Sequence, residues 1–282
     1  MTKKRQQFLK NKKPVVDPNA AGVFRRKTAT QFFPQPSWTG PHPGKGGEPA
    51  GSRFKHWVCT DEGCDPAPQQ EMFTENINWR IFRIMAEFIE GFEFLSGLKK
   101  EVSFFGSARV TPGNAYYKMA RALAERLAQE GYTMVTGGGP GIMEAGNRGA
   151  FEAGGESVGL DIQLPNEQRR NKFVKKSKGF HYFFTRKVML SASAQAYVFF
   201  PGGFGTFDEL FEIVTLIQTG KMSDQVPVIL VGKDYWTGLL TWIREQMMQR
   251  GFIEPFEFNI LRLVDTTDEA FAIIKKTHER TL

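Results

Sequence analysis

The sequence predicts an α/β fold in which a doubly wound parallel sheet carries helices on both faces. Two observations lead to this prediction. Short apolar segments recur between residues 102 and 231, and amphipathic segments of helical period separate them. Strands buried on both faces of a parallel sheet are typically continuous apolar runs, and the connections between them are helices. The predicted architecture is therefore Rossmann-like.

The elements can be placed in order along the chain. Apolar runs predict strands at 102–106, 132–136, 157–162, 180–184, 196–200 and 226–231. Apolar residues at three- and four-residue spacing predict a first helix over 77–95, because that spacing puts them on one helical face. Further helices are expected at 114–129, 141–153, 186–193 and 206–219, with a closing helix that ends near 277.

The N-terminal quarter differs in composition from the rest. Residues 1–72 are rich in Pro, Gly and Lys, have neither helical nor alternating apolar period, and are predicted to be a largely irregular extension. Residues 73–282 are predicted to form the Rossmann-like domain. Nine Lys and Arg residues lie within the first 27 positions, so most of the net charge of +7 belongs to this extension. A basic tail of this kind indicates a solvated arm rather than a specific nucleic-acid reader.

Composition also excludes several classes of protein. Apolar residues make up 41% of the chain, and no window is apolar enough for a membrane span. The basic start has no apolar stretch behind it, so a secretory signal is not predicted and a cytoplasmic location is expected. His56, Cys59 and Cys64 lack a fourth partner for zinc, and no metal site is predicted.

Three glycine-containing loops follow predicted strands. They are FFGSAR (104–109), TGGGPGIMEAGNRGA (136–150) and FFPGGFGTFDELFE (199–212). Glycines between a strand end and a helix start let backbone N–H groups approach an anion closely. Because the carboxyl ends of parallel strands meet at one edge of the sheet, these loops predict a site for a phosphorylated ligand there.

Neither of the longer loops has the spacing of a common cofactor signature. The segment GGGPGIM departs from G-x-G-x-x-G, and PGGFGT lacks the Lys-Ser/Thr of a P-loop. Asp161 lies some 20 residues beyond Gly141 at a predicted strand end, where a ribose-binding acid of an NAD site would stand. An NAD-type oxidoreductase therefore stays open as an alternative.

Charged residues accompany the third loop. Asp208 and Glu209 follow Gly205 within one helical turn, and Arg186 and Lys187 stand in the preceding predicted helix. A carboxylate beside a bound phosphate is unfavourable unless a cation matches it or the reaction needs it. Asp208 is equally compatible with a helix-capping role, because the helix dipole favours acids in the first turn.

The string PGGFGTFDE, with RKVML upstream, resembles the PGGxGTxxE motif of the lonely guy (LOG) family of phosphoribohydrolases. The resemblance covers about residues 75–275 and includes FGSAR, GGGPGIMEAGNRGA, GLDIQLP and FHYFFTRK. It implies that Glu209 and Arg186 are catalytic. It also implies substrate contacts from the three loops and the RK pair, namely Ser107, Arg109, Gly138, Gly139, Met143, Glu144, Asn147, Lys187, Gly202, Gly203, Gly205, Thr206 and Asp208.

The resemblance implies hydrolysis of the N-glycosidic bond of purine nucleoside 5′-monophosphates, AMP-like or cytokinin ribosides, without metal or cofactor. The family's older label, lysine decarboxylase, is not supported, because no lysine stands in a Schiff-base context. A nucleotide-binding protein without turnover is a second alternative. The resemblance also implies a homodimer or larger homo-oligomer; the apolar stripe of the helix at 77–95 packs either on a second copy or within the monomer.

Overall fold

The computed structural model describes residues 57–60, 63–66, 77–163 and 170–279. The chain divides into two compact units, residues 1–70 and 71–282. In the first unit, strands β1 (Trp57–Thr60) and β2 (Gly63–Pro66) form an antiparallel pair. This pair lies inside the segment predicted to be largely irregular; the remainder of that prediction lies outside the described residues, and the domain boundary near 72 stays a prediction.

The second unit alternates strands and helices as the sequence predicts. Its strands are β3 (Glu101–Phe105), β4 (Thr133–Thr136), β5 (Ser157–Ile162), β6 (Lys176–Phe180), β7 (Ala196–Phe199), β8 (Val228–Val231) and β9 (Leu261–Val264). Its helices are α1 (Ile77–Ser96), α2 (Ala115–Gln129), α3 (Ile142–Glu152), α4 (Phe183–Ala192), α5 (Phe204–Gln218), α6 (Lys233–Trp242), α7 (Pro255–Phe258) and α8 (Thr267–Ile274). A π-helical segment, Ile243–Met248, directly continues α6.

Seven strands of the described unit form one parallel sheet in the order β6-β5-β4-β3-β7-β8-β9. The chain runs outward from β3 to β6, then returns to the other side of β3 as β7. This reversal confirms the predicted doubly wound, Rossmann-like fold. It also creates a topological switch point between β3 and β7, where the loops at the carboxyl ends diverge and where ligands of such sheets bind.

Helices cover both faces of the sheet and give two separate cores. One core joins the sheet to α2, α3 and α8, through residues such as Tyr117, Leu127, Ile142 and Ile274. The other joins it to α1, α4, α5 and α6, through residues such as Leu95, Met189, Ile213 and Trp236. Because β3, β4 and β8 lie between these cores, each of their residues is buried, which explains their apolar sequences.

Two predicted elements are wrong, and both lie near a sheet edge. The segment 180–184, predicted as a strand, contains the last residue of β6, Phe180, and the first residues of α4. Strand β6 is an edge strand with the polar sequence KSKGF, so it lacks the apolar run that marks a buried strand. The predicted closing helix is replaced by α6, the π-helical segment, α7, β9 and α8; β9 is the other edge strand and is buried only in part.

Helix α1 presents most of its large apolar residues to solvent. Its buried residues are Glu87, Gly91 and Leu95, while the exposed ones are Ile77, Trp79, Ile81, Phe82, Met85, Ile89 and Phe92. The amphipathic pattern therefore predicts the helix correctly but not the face that packs on the sheet. Self-association through this helix stays a prediction. None of the described helices has both the length and the apolar character of a membrane span.

Candidate active site

The loop between β7 and α5 holds its backbone in a fixed arrangement. The Pro201 carbonyl accepts a hydrogen bond from the Ser107 N–H at 3.0 Å, and the Gly202 carbonyl accepts one from the Tyr235 hydroxyl at 2.5 Å. A Cβ atom on Gly202 would collide with the Thr206 side chain. Helix α5 begins directly after Gly203, so the N–H groups of Phe204 and Gly205 have no acceptors in their own helix, while Thr206 N–H donates to the Gly203 carbonyl at 2.9 Å. This is the geometry of an anion-binding helix start.

The glycine loop between β4 and α3 lies beside the first one. Gly138 and Gly141 both have a φ of 72°, a conformation that favours glycine. At Gly141 a side chain would also collide with the Ser107 carbonyl. That carbonyl accepts a hydrogen bond from Ile142 N–H at 3.0 Å, while Ser107 N–H binds Pro201 on the other side. Ser107 therefore connects the two glycine loops at the switch point.

The Asn171 side chain holds the β4 loop from the β5–β6 connection. Its amide nitrogen donates to the carbonyls of Gly138 and Gly139 at 3.1 and 3.0 Å, and to Asn147 Oδ1 at 2.9 Å. Thr136 also donates to Asn147 Oδ1, at 2.6 Å, and accepts from Gly138 N–H at 3.0 Å. Sequence reasoning missed Asn171, because it lies more than 30 residues from the loop it supports and no spacing connects the two.

Two predicted pocket residues occupy other places. Asn147 is fully buried, and its amide donates to Ser157 Oγ and the Val158 carbonyl at 2.9 and 3.1 Å. Since its oxygen is also in use, Asn147 supports the loop from beneath and does not line a pocket. Glu144 accepts a hydrogen bond from the buried Tyr117 hydroxyl at 2.9 Å, which directs it toward α2. The helical register of α3 determines both placements, and the loop motif does not reveal it.

The remaining residues predicted around the base and ribose stay near the loops. Met143 packs against Gly137 and Gly139, where a Cβ on Gly139 would meet its methyl group. Arg109 is exposed, and its N–H donates to Ser107 Oγ at 3.1 Å. Contact of either side chain with a substrate stays a prediction.

Arg186 reaches from α4 across the carboxyl ends of two strands. Its Nε donates to the Leu160 carbonyl of β5 at 2.7 Å, and its guanidinium lies against Gly137 of the β4 loop, where a side chain would collide with it. Burial lowers the pKa of Arg186, while the charges of Glu209 and Asp161 act in the opposite direction. The arginine therefore lies against the β4 glycine loop and interacts electrostatically with two carboxylates, as expected of a cation that meets an anionic ligand.

Glu209 occupies the second turn of α5 and is 7% exposed. Its Oε2 is buried and has no hydrogen-bond partner among the described residues. Burial raises the pKa of Glu209 to about 7, against the opposing charges of Lys187 and Arg186. A buried carboxylate with a free oxygen is unfavourable for folding, which makes Glu209 a candidate for a chemical role.

Lys187 of α4 pairs with two other acids of α5, the helix that carries Glu209. Its ammonium group forms ion pairs with Asp208 and Glu212 at 2.6 and 3.0 Å. Burial acts to lower the pKa of Lys187, but the hydrogen bonds to these two acids raise it above its ordinary value. Asp208 is therefore matched by a lysine, and no side-chain cap is formed at the start of α5.

Asp161 stands at the end of β5, as the NAD alternative requires, but its carboxylate is already engaged. Its Oδ2 accepts a hydrogen bond from Arg170 at 2.5 Å. Its Oδ1 is buried against Gly138 without a partner among the described residues. Burial raises the pKa of Asp161, while the positive charges of Arg170 and Arg186 act to lower it.

No cluster of three or more His, Cys, Asp or Glu residues that could hold a metal occurs within the described ranges.

An open groove lies next to this cluster on the α5 side. Its volume is about 560 Å³, and it is lined by Lys187, Phe204, Phe207, Asp208, Phe211, Glu212, Thr215 and Leu216. It shares Lys187 and Asp208 with the predicted site, whereas the glycines are not among its lining residues. Phe204, which belongs to the PGGFGT turn, is almost fully exposed at its rim.

Glu87 of α1 positions the helix that carries Arg186. One carboxylate oxygen accepts from His181 N–H at 2.8 Å; the other accepts from the Thr185 hydroxyl at 2.6 Å and from Tyr182 N–H at 3.3 Å. These groups belong to the start of α4, whose N–H groups have no partners within the helix. The buried acid of α1 therefore caps α4 from another element, which sequence reasoning did not foresee.

We expect Glu87→Gln to lower the free energy of unfolding by about 2 kcal/mol, because a charged acceptor of several hydrogen bonds becomes a neutral amide whose NH₂ faces donors. Urea denaturation measures the change. Glu90→Gln is the matched control: Glu90 lies on the same helix as Glu87, is more exposed and pairs with Lys178 of β6, so its loss should cost less than about 1 kcal/mol. Equal effects of the two substitutions would contradict the capping role of Glu87.

The fold and the loops define the class: a doubly wound α/β protein with its candidate site at the switch point. Comparison with known proteins then shows the family. Residues 143–274 match the family model described as "Possible lysine decarboxylase". The chain is 30% identical over 179 residues to the probable cytokinin riboside 5′-monophosphate phosphoribohydrolase LOGL3 of Oryza sativa subsp. japonica, covering 62% of this chain and 82% of the relative. The chain therefore belongs to the LOG family.

Other matches include bacterial proteins. The cytokinin riboside 5′-monophosphate phosphoribohydrolase of Rhodococcoides fascians is 27% identical over 161 residues, which cover 55% of this chain and 79% of that protein. Among solved structures, the molybdenum cofactor binding protein from Rippkaea orientalis matches with a TM-score of 0.46 and 23% identity, over 62% of this chain and 93% of that one.

The decarboxylase description of the family model does not fit the lysine at this site. A lysine that forms a Schiff base needs a lowered pKa, so that it is neutral and nucleophilic. Lys187 has a raised pKa and two carboxylate partners, which keep it protonated. The two ion pairs of Lys187 join α4 to α5, and its predicted contact with the substrate stays a prediction.

Proposed function

We propose that this chain hydrolyses the N-glycosidic bond of purine nucleoside 5′-monophosphates, AMP-like or N6-prenylated, to free base and ribose 5-phosphate. The observation that carries the proposal is the buried, unpartnered carboxylate oxygen of Glu209, electrostatically coupled to Arg186 and placed on the helix that begins at the PGGFGT turn. The names of the LOG relatives support the reaction type.

In this reaction the loop amides bind the substrate, and Glu209 and Arg186 supply the charged side chains. The N–H groups at the start of α5 bind the 5′-phosphate, which brings C1′ of the ribose toward Glu209. As the C1′–N bond breaks, its electron pair goes to the base and positive charge develops on the sugar, which a carboxylate stabilises. Glu209 takes a proton from the attacking water, whose oxygen bonds to C1′, and the departing base takes up a proton from Glu209 or from solvent.

Arg186 supplies the positive charge in this arrangement. Its guanidinium lies against the β4 loop and interacts electrostatically with Glu209 and Asp161. From there it offsets negative charge either on the departing base or on the phosphate, and the kinetics of its variants distinguish these two roles.

A panel of nucleoside 5′-monophosphates tests the function. The purified chain is incubated with AMP, GMP, CMP, UMP and N6-isopentenyl AMP, and free base and ribose 5-phosphate are measured by chromatography. We expect equal amounts of base and ribose 5-phosphate from the purine nucleotides and little from the pyrimidine ones. AMP binding without release of adenine would instead support a non-catalytic nucleotide-binding protein. Absorbance changes that depend on a nicotinamide cofactor would support the oxidoreductase.

A further inference from the structure

Tyr235 connects the loop after β8 to the proposed phosphate loop. It belongs to the first turn of α6, which starts directly after β8, next to β7 in the sheet. Its hydroxyl donates a hydrogen bond to the Gly202 carbonyl at 2.5 Å. The tyrosine itself is part of no loop motif found in the sequence, and its element was not predicted.

Fixing one carbonyl fixes the next N–H group. In a planar trans peptide, the C=O and N–H groups point in opposite directions. The peptide that joins Gly202 to Gly203 therefore aims its N–H away from Tyr235 when the tyrosine holds its oxygen. Without such a hold, two consecutive glycines leave this peptide free to rotate, because glycine accepts many backbone conformations.

The preceding peptide is held from the other side. The Pro201 carbonyl accepts a hydrogen bond at 3.0 Å from the N–H of Ser107, which lies in the loop after β3. Two successive carbonyls of the turn are thus bound by two different elements. This arrangement fixes both peptides in advance, so that a ligand does not have to order them on binding.

The tyrosine is 39% exposed, but its ring packs on two aromatic neighbours. It packs edge-on against Trp236, at 4.9 Å between ring centroids, and lies 6.4 Å from Phe207 of α5. Trp236 is fully buried, and its indole N–H donates to the Val231 carbonyl at 3.1 Å. The hydroxyl therefore belongs to a ring that packs on an aromatic cluster, and removal of its oxygen leaves these ring contacts in place.

We propose that Tyr235 is a positioning residue that orients the Gly202–Gly203 peptide so that its N–H group binds the 5′-phosphate of the substrate. This inference rests on the proposed function for the identity of the phosphate-bearing ligand. It adds α6 to the elements that build the site. Tyr235 acts through the backbone and does not contact the reacting atoms.

The test is Tyr235→Phe, with inorganic phosphate and ribose 5-phosphate as probes. We expect Kd for both, measured by calorimetry, to rise about fivefold, consistent with the loss of one hydrogen bond. KM for AMP should rise by a similar factor, and kcat should fall less. Tyr132→Phe is the control, because its hydroxyl bonds the Ile274 carbonyl at 3.4 Å, next to the start of β4. It should leave the phosphate affinity as in the unsubstituted chain.

Unchanged Kd for both probes in Tyr235→Phe would overturn the inference. So would equal loss of affinity in the two variants, because that would indicate a general effect on folding. The binding measurement needs no turnover. If the unsubstituted chain released no base while Tyr235→Phe still weakened phosphate binding, the proposed reaction would fail and the role of Tyr235 would stand.

Discussion

Glu209→Gln is expected to reduce release of base from AMP by about a thousandfold, while nucleotide binding remains measurable. The substitution keeps the size of the side chain but removes the negative charge that stabilises the sugar cation and the group that accepts a proton from water. Base release is measured by chromatography, and AMP binding by calorimetry.

Asp208→Asn is the matched control for this substitution. Asp208 precedes Glu209 on α5, is exposed and pairs with Lys187. Its loss should change kcat by less than about tenfold, since the charge that it removes faces solvent. Retention of full activity by Glu209→Gln would show that the catalytic assignment is wrong.

The pH dependence of the activity follows from the pKa of Glu209, which is about 7. The reactive form is the carboxylate, so kcat/KM should rise with pH through about 7 and then level off.

The stability of the folded chain should change with pH in the opposite direction to kcat/KM. Because burial raises the pKa from 4.5 to about 7, the folded chain holds a proton that the unfolded chain loses, and stability falls as the pH rises through this window.

Glu209→Gln removes this loss of stability at high pH, because glutamine does not titrate. At pH 8 the variant should be more stable than the unsubstituted chain, by up to about 3 kcal/mol, and at pH 4 the two should be similar. Thermal denaturation at both pH values measures the difference. A variant that is less stable at pH 8 would contradict the burial of a titrating carboxyl at this position.

Arg186→Met is expected to lower kcat/KM for AMP by about a hundredfold or more, because it removes the buried positive charge at the glycine loops. A loss confined to kcat assigns Arg186 to the departing base, whereas a loss confined to KM, with weaker phosphate binding, assigns it to the phosphate. The pH at which kcat/KM levels off should also rise, since Arg186 acts to lower the pKa of Glu209.

Arg148→Met serves as the control for Arg186→Met. Arg148 lies on α3 and pairs with Glu152 at 2.8 Å, one turn along the same helix. Steady-state kinetics of the two variants should differ strongly, with Arg148→Met close to the unsubstituted chain. Similar kinetics for both would mean that Arg186 has no special role at the site.

The sequence marks parts of the candidate site where local sequence and local geometry coincide. Gly138, Gly141 and Gly202 are glycines because their backbone conformation or close contacts exclude a side chain, and such positions are visible in a loop motif. Glu209 and Arg186 were found through the family resemblance, and the structure places them in electrostatic contact. Their catalytic roles stay predictions.

The sequence alone determined the alternation of buried strands and helices, the parallel sheet and the presence of glycine loops at its carboxyl edge, because these depend on periodicity and backbone freedom within short segments. Only the tertiary structure decided which distant groups hold those loops. Asn171, Tyr235 and Glu87 each act on backbone groups of another element, more than 30 residues away. Contacts of this kind depend on strand order and helix register, which leave no pattern in any single segment.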